Sequence, residues 1–469
     1  MAFPFSRTSL INRYTRAMIQ TALVALVLTT ASAEPPEEVV GGAIASIEAE
    51  QVMSDLSTLV DFGTRHTMSE TLSDERGIGA ARRWLAGEFE RYAAEAGRDD
   101  VVVELESHTV VADGRRITED TEVVNVVCTI PGSDPGAESR HYYIVAHYDS
   151  RVSGALDAES DSPGANDDGS GTVVCLAVAR ALMNVRLEST VVIMPVAGEE
   201  QGLYGSRRHA GIARDMGKDI RAILSNDTVG DPTGPGGREA RSEIRVFSEG
   251  IPTAILAEQG RAPNAVRMIR SLSAESDSTS RQLARYLKEV ADLHDLPVKP
   301  KLIYRPDRFL RGGDHTGFNE SGFAAVRLTE VYENYDQQHQ DVRTEDGKQF
   351  GDLIEFVDGD YIADVARLNT AGLIHLANAP SEPGNARMIV AELTNDTTLR
   401  WESSPESDVA GYEIVWRETT SPYWQHAQDV GNTTEGTIDL SKDNWFFGVR
   451  SYDADGYRSP VVFPIAARE

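Results

Sequence analysis

The alternation of hydrophobic and polar positions divides the chain into strands and helices as far as residue 378. Six short apolar runs predict strands, at 101–106, 123–130, 141–146, 190–197, 220–226 and 323–329. Several of these runs are continuously apolar, which is typical of strands buried on both faces. Apolar residues at helical spacing predict helices over 44–60, 73–96, 171–184, 204–216, 279–295 and 360–377. We therefore expect an α/β fold with a mixed, mostly parallel central sheet and helices on both faces.

The character of the sequence changes near residue 378, where a linker rich in Pro, Gly and Asn begins. Beyond it the apolar runs are short and separated by turn residues, at 387–393, 397–401, 411–418, 435–439 and 445–452. Regularly spaced short strands of this kind predict a small all-β sandwich. Its core is expected to contain Trp401, Tyr412, Ile414, Trp416 and Phe446.

The first 33 residues have the composition of an export signal. Arg7, Arg13 and Arg16 precede an apolar run at 22–28, and the Ala-Ser-Ala sequence at 31–33 fits a cleavage site. A membrane anchor is the alternative, but the run is shorter than the roughly 20 residues that a spanning helix needs. We therefore expect a mature chain without a membrane span, in a secreted or periplasmic protein.

The charge of the chain restricts its partners. The formal charge is −29, and loss of the signal would remove three further positive charges. Such a surface repels nucleic acid and anionic lipid. Cys128 and Cys175 both lie in apolar stretches, and the sequence leaves a disulfide and two buried thiols equally open. It does not indicate an oligomeric state.

Acidic residues and histidines follow several of the predicted strands. The clusters are His147-Tyr148-Asp149, the glycine-rich 164–171 with Asp167 and Asp168, Gly198-Glu199-Glu200, Asn226-Asp227 and, about ten residues after its strand, His339. In an open α/β sheet the carboxyl ends of the strands line one crevice, where ligands bind. We therefore expect these clusters to meet at a single site.

The residue types of these clusters suit zinc, which is bound by histidine and carboxylate ligands. A two-metal site needs a bridging carboxylate and a base beside the attacking water. The adjacent Glu199 and Glu200 could divide metal binding and proton transfer between them, and Asp149 could orient the imidazole of His147. Each cluster alone also fits a charged turn, a cap, or a solvated or calcium-binding loop. Their order along the chain makes the pattern specific.

The motifs HYDS, GANDDGSG, AGEEQGLYGS, SNDTVG, GGDHTGF and QHQD, in this order, resemble the di-zinc exopeptidase family. That family includes bacterial leucyl aminopeptidases and glutamate carboxypeptidase. DFGTRH and GIGAARRWL, nearer the N-terminus, are also similar to it, so that the resemblance spans roughly residues 45–378. It implies the zinc exopeptidase fold, two zinc ions in each chain, and peptides as substrates.

The resemblance also implies a role for each residue. His147 and Asp227 would hold one zinc ion, Glu200 and His339 the other, and Asp167 would bridge them. Glu199 would be the general base, which takes a proton from the attacking water and passes it to the leaving amine. Asp149 would orient His147. The family further implies a cis peptide bond between Asp167 and Asp168.

One position departs from the family's pattern. Many relatives carry Tyr directly before the last histidine, where it steadies the developing oxyanion, and this chain has Gln338. Tyr332, Tyr335 and Arg311 are the alternatives, and the sequence does not choose among them. We interpret Asp314 and His315 as structural residues or as residues that support the metal ligands.

We expect a signal peptide at 1–33, a zinc peptidase domain at 34–378 and a β-sandwich at 380–469. The last segment resembles a fibronectin type III module through WESSPESDVAGYEIVWR and NWFFGVRSYDADGYRSP. The leading functional prediction is an aminopeptidase. A carboxypeptidase or a glutaminyl cyclase of the same fold, and a non-catalytic binding protein, are the alternatives.

Overall fold

The computed structural model describes residues 35–257, 262–391 and 393–468, so that the expected signal at 1–33 lies outside the described residues. The helices are α1 (Pro36–Ala45), α2 (Ala49–Asp61), α3 (Gly77–Glu95), α4 (Gly171–Leu182), α5 (Glu199–Gly202), α6 (Tyr204–Asp215), α7 (Thr253–Ala257), α8 (Ala262–Ser271), α9 (Thr279–Leu293), α10 (His315–Glu320) and α11 (Gly359–Asn378). Within the described part of the chain, no helix is long and apolar enough to cross a membrane.

Eight strands form one mixed sheet. They are β1 (Val102–Val110), β2 (Thr121–Ile130), β3 (Arg140–His147), β4 (Thr190–Val196), β5 (Asp219–Asn226), β6 (Glu243–Ser248), β7 (Lys299–Ile303) and β8 (Ala325–Thr329). Their order is β1-β2-β4-β3-β5-β8-β6-β7. The central strands β4, β3, β5 and β8 run parallel, and antiparallel pairs join β1 to β2, β2 to β4 and β8 to β6. The predicted fold class is confirmed.

Helices cover both faces of this sheet and bury it. Residues of α2, α3, α4, α9 and α11 form one hydrophobic core with the sheet, and residues of α6 and α10 form a second core on the opposite face. Every residue of β4 is buried, as the continuous apolar run predicted. This two-sided burial fixes the strands whose carboxyl ends carry the acidic residues and histidines.

Several elements differ from the sequence prediction. The helix expected over 44–60 begins only at Ala49, because the chain turns at Ser46, whose hydroxyl donates to the main-chain oxygen of Ala43 (2.7 Å), and residues 36–45 form the separate helix α1. The strands β6 and β7 and the helix α8 were not predicted. The strand β7 contains Pro300 and lies at the edge of the sheet, where a missing N–H is tolerated, so that its sequence gives a weak strand signal.

The C-terminal segment forms two sheets whose strands are mostly antiparallel. Its strands are β9 (Gly384–Ile389), β10 (Thr397–Glu402), β11 (Val409–Glu418), β12 (His426–Gly431), β13 (Glu435–Ile438), β14 (Trp445–Asp453) and β15 (Ile465–Ala467). One sheet has the order β13-β10-β9-β15 and the other β12-β11-β14. The residues between them form a separate hydrophobic core.

One predicted core residue of this segment was wrong. Trp401, Tyr412 and Ile414 are buried and Trp416 packs against them, but Phe446 is only half-buried. Phe447 occupies the core instead. Successive side chains of a strand point to opposite faces, so that an assignment displaced by one residue selects the wrong face.

Buried ion pairs join the C-terminal segment to the first part of the chain. The carboxylate of Asp277, just before α9, is bound by Arg285 of that helix (3.0 Å) and by Arg417 of β11 (2.8 Å), and all three side chains are almost completely buried. Arg140 at the start of β3 pairs with Glu406 (2.7 Å). Because these charges are buried and paired across the junction, they fix how the two parts pack.

Both cysteines are buried free thiols. The structure therefore has no disulfide between Cys128 and Cys175, which settles the alternative that the sequence left open.

Candidate metal centre

The predicted clusters meet at the carboxyl ends of the parallel strands. His147 is the last residue of β3, Glu199 and Glu200 open α5 just after β4, and Asp227 directly follows β5. Asp167 lies in the turn before α4, and His339 lies in the loop after β8. The parallel arrangement of these strands places all their ends on one edge, as the general rule for open α/β sheets predicts.

Asp167 lies between the two histidines. Its Oδ1 is 3.2 Å from Nε2 of His147, and its Oδ2 is 2.8 Å from Nε2 of His339. The peptide bond from Asp167 to Asp168 is cis, as the resemblance implied. One carboxylate thus presents a separate oxygen to each side of the site.

The remaining ligand candidates divide into two groups around Asp167. Ligand atoms of His147, Glu199 and Asp227 lie within 4.8 Å of one another, and so do those of Asp167, Glu200 and His339. The donors are imidazole nitrogens and carboxylate oxygens, a set that suits zinc. The arrangement therefore fits two metal ions that share Asp167. Glu199 stands as close to the first group as its other members, so the distances alone do not separate a ligand from a base.

Asp149 contacts the site differently from the expectation. Its main-chain oxygen, at 3.0 Å, is nearer to Nδ1 of His147 than its carboxylate oxygen, at 3.6 Å. The carboxylate accepts hydrogen bonds from the main-chain N–H groups of Glu199 and Glu200 (3.3 Å each) and from the hydroxyl of Thr67 (2.9 Å). Asp149 thus fixes the start of α5 as well as the ring of His147.

Arg327 holds Asp227 and was not found from the sequence. Its fully buried guanidinium lies 2.8 Å from Oδ1 of Asp227, while Oδ2 of the same carboxylate lies 3.9 Å from Nε2 of His147. Arg327 also pairs with Asp307 (3.4 Å). Its position within an apolar strand, a hundred residues from Asp227, gave no signal of this contact.

Gln338 directly precedes His339, at the position where the resemblance led us to expect Tyr. Its Nε2 donates to Oδ2 of Asp167 (2.7 Å), and its Oε1 is buried without a hydrogen-bond partner in the part of the chain that the structure describes. Tyr335 and Arg311 line the adjacent cleft, whereas Tyr332 stacks against Arg238. Of the three alternatives to Gln338, two are therefore near the site.

The concentration of carboxylates changes the proton affinity of the site. Burial opposes a charge on His147, but Glu199, Asp149 and Asp167 outweigh that effect and raise its pKa well above the usual value. Burial also lowers the pKa of His339, but Glu200 and Asp167 outweigh burial and raise this pKa to about 10. Burial, together with Glu200 and Asp227, raises the pKa of Glu199. Divalent cations could replace the protons that the carboxylates hold on these imidazoles.

The fold and the site define a class of protein, the metal-dependent hydrolases whose metal ligands lie at the carboxyl edge of an α/β sheet. The model of peptidase family M28 matches residues 125–357. A probable zinc metalloprotease of Pyrenophora tritici-repentis is 43% identical over 92% of this chain and 88% of its own length. Another, of Leptosphaeria maculans, is 44% identical over 92% of this chain and 97% of its own.

The solved structure of the LapA aminopeptidase of Legionella pneumophila has a similar fold. Its TM-score is 0.50 at 20% identity, over 73% of this chain and 75% of that one. The chain belongs to peptidase family M28. The predictions of a metallopeptidase and of its fold are confirmed.

Proposed function

We propose that this peptidase is an aminopeptidase with two zinc ions, which removes N-terminal residues from peptides. The observation that carries the proposal is the position of Asp167, whose two oxygens face His147 and His339 at 3.2 and 2.8 Å. His147 and Asp227 would hold one ion, and Glu200 and His339 the other. The relatives described as zinc metalloproteases support the choice of zinc.

The bound ions would supply Lewis acidity, which lowers the pKa of water and polarises a carbonyl group. Glu199 stands half-buried at the wall of the cleft. It would take a proton from the attacking water. Burial and neighbouring carboxylates raise its pKa, so that its carboxyl group retains the proton until the leaving amine accepts it.

Two glutamates at the metal-ligand side of the cleft favour the free amine of an N-terminus. Glu199 and Glu200 line the cleft there, and the unpartnered Oε1 of Gln338 adds a neutral acceptor. An ammonium group donates hydrogen bonds and accepts none, so that it matches such a surface. The aminopeptidase fold neighbour is consistent with this choice.

The test combines metal analysis with end-blocked peptides. The purified mature chain should contain about two zinc ions, and chelation should abolish hydrolysis until zinc is restored. The pair Leu-Gly-Phe-amide and acetyl-Leu-Gly-Phe separates the two ends. Hydrolysis of the amide supports an aminopeptidase, whereas hydrolysis of the acetylated peptide alone would establish a carboxypeptidase and overturn the proposal.

We further propose that the protein is exported, to the periplasm or the medium, and that the segment 380–469 is a fibronectin type III-like module. The arginine-rich start and apolar run at 1–33 support export. The seven strands in two sheets support the module. Sequencing the N-terminus of the exported protein tests the first proposal, since it should begin at Glu34.

A further inference from the structure

A cleft of about 410 Å³ opens beside the candidate metal ligands, and its wall contains an unexpected group of arginines. Arg116, Arg151 and Arg311 line it together with Glu199 and Glu200. Its volume lies within the range of small-molecule and short-peptide sites. The three arginines come from separate loops, after β1, after β3 and before α10, so that only the tertiary structure brings them together.

The three arginines differ in how far their charge is already matched. Arg151 is bound to Glu200 (2.8 Å) and to the ring of His339 (2.5 Å), and it belongs to the surroundings of the metal ligands. Arg116 is exposed, and its one polar side-chain contact with the described residues is to the main-chain oxygen of Glu200 (3.3 Å). Arg116 therefore offers unmatched charge to the cleft.

Arg311 has a shared partner. Its guanidinium lies 3.2 Å from Oε2 of Glu333, but the same carboxylate also binds Arg308 at 2.6 Å and Arg245 at 2.7 Å. Arg308 has a second partner in Asp307 (2.9 Å), which also pairs with Arg327 (3.4 Å), so that these two carboxylates face four guanidinium groups. Arg311 is more exposed than Arg245 and Arg308, the other two arginines at Glu333, and it alone among these lines the cleft, so that its remaining N–H groups are available to a ligand.

This local excess of positive charge opposes the character of the whole protein, which has a formal charge of −29. Guanidinium groups match carboxylates in shape as well as in charge. A purely structural role explains Arg151, which is occupied on two sides, but does not explain why Arg116 and Arg311 point spare donors into the same cleft.

We propose that Arg116 and Arg311 bind a carboxylate of the substrate, so that the enzyme prefers peptides with an acidic side chain beside the scissile bond or with a free C-terminal carboxylate at that place. This inference rests on the proposed peptidase function. The acids beside the metal ligands would receive the amine of a short peptide, and the two arginines would receive its carboxylate.

The test uses peptide pairs that differ by one carboxylate. The pair Leu-Asp-Ala-amide and Leu-Asn-Ala-amide places the carboxylate on the second side chain. The pair Asp-Leu-amide and Asn-Leu-amide places it on the first side chain, and the pair Leu-Ala and Leu-Ala-amide places it at the C-terminus. In at least one pair, kcat/KM should be about tenfold to a hundredfold higher for the acid, the range of a hydrogen bond to a charged group. Arg116→Gln and Arg311→Gln should each reduce that ratio.

Arg214→Gln is the matched control, because Arg214 is exposed on α6 and pairs with the neighbouring Asp215. This variant should keep the full ratio. Calorimetric binding of L-glutamate and L-glutamine to the zinc-loaded protein gives a second readout, and L-glutamate should bind more tightly in the parent but not in the Arg116→Gln, Arg311→Gln double variant.

The outcomes distinguish this inference from the proposed function. Ratios near one for every pair, with neutral peptides hydrolysed, would overturn the carboxylate site and leave the aminopeptidase intact. Absence of any hydrolysis would overturn the proposed function, and the binding of L-glutamate would then decide the carboxylate site by itself.

Discussion

The side-chain amide of Gln338 donates a hydrogen bond of 2.7 Å to Oδ2 of Asp167, the carboxylate that stands between the two histidines. This contact gives a role to a residue that departs from the family's pattern. Gln338 restrains the oxygen that faces His339, and such partners commonly tune the affinity of a metal site.

Replacing Gln338 should weaken metal binding. Gln338→Met removes the donor at similar size, and we expect the zinc affinity to fall by about tenfold to a hundredfold. Competition with a chelator of known affinity measures it. Gln349→Met, in the small hairpin at 343–350, is the control and should bind zinc as the parent does. Unchanged affinity in Gln338→Met would show that the contact is incidental.

Glu199→Gln separates a base from a ligand. The amide cannot take up a proton, so that kcat should fall by about 10²–10⁴-fold while the zinc content stays the same. Zinc analysis and kinetics on one preparation provide both numbers. Glu75→Gln, on an exposed loop, should match the parent. If Glu199→Gln loses half of its zinc, Glu199 is a metal ligand.

Arg327→Met should destabilise the whole protein. It leaves Asp227 and Asp307 buried without their shared cation, a loss of about 3–5 kcal/mol in the free energy of unfolding. Denaturant unfolding of the metal-free protein isolates this effect from metal binding. Arg214→Met removes an exposed arginine and should change stability by less than about 0.5 kcal/mol. An equally small change in Arg327→Met would contradict the buried pairing.

Asp277→Asn tests the junction with the C-terminal segment. The amide cannot balance the charges of Arg285 and Arg417, which are both buried, and we expect a loss of about 3 kcal/mol or more in unfolding free energy. Asp439→Asn, at an exposed position, is the control. Stability like that of the control would mean that the junction is held by its other contacts.

Glu188 should make stability depend on pH. Burial and the carboxylates of Asp408 and Asp453 raise the pKa of Glu188 to about 7. In the unfolded chain the pKa of Glu188 has the ordinary value of about 4.3. Between about pH 4.3 and about pH 7 the folded state therefore binds more protons than the unfolded state, and the contribution of Glu188 to stability falls as pH rises. Glu188→Gln should therefore raise Tm at pH 8 and leave it nearly unchanged at pH 4.

The control for this effect is Glu104→Gln, at an exposed position on β1. It removes the same formal charge and should shift Tm little at either pH. If both variants raise Tm equally at pH 8, the gain comes from lower net charge rather than from the surroundings of Glu188.

The sequence predicted most of the fold because buried parallel strands have a distinctive composition. The runs at 141–146 and 190–197 are apolar throughout, and they became β3 and β4. The strand β7 was not predicted because Pro300 and the flanking lysines weaken its hydrophobic pattern. Phe446 was exchanged for Phe447 because a strand's two faces alternate residue by residue, and a weak pattern does not fix the register.

The sequence by itself determined which residue types end the central strands, and hence that acids and histidines would share one edge of the sheet. Strand polarity alone requires that result. Only the tertiary structure decided that each oxygen of Asp167 faces a different histidine. It also decided that Arg327 forms an ion pair with Asp227, and that Arg116 and Arg311 line one cleft. Apart from the contact between Asp167 and His147, these contacts join side chains a hundred or more residues apart. Their geometry depends on packing that no local pattern records.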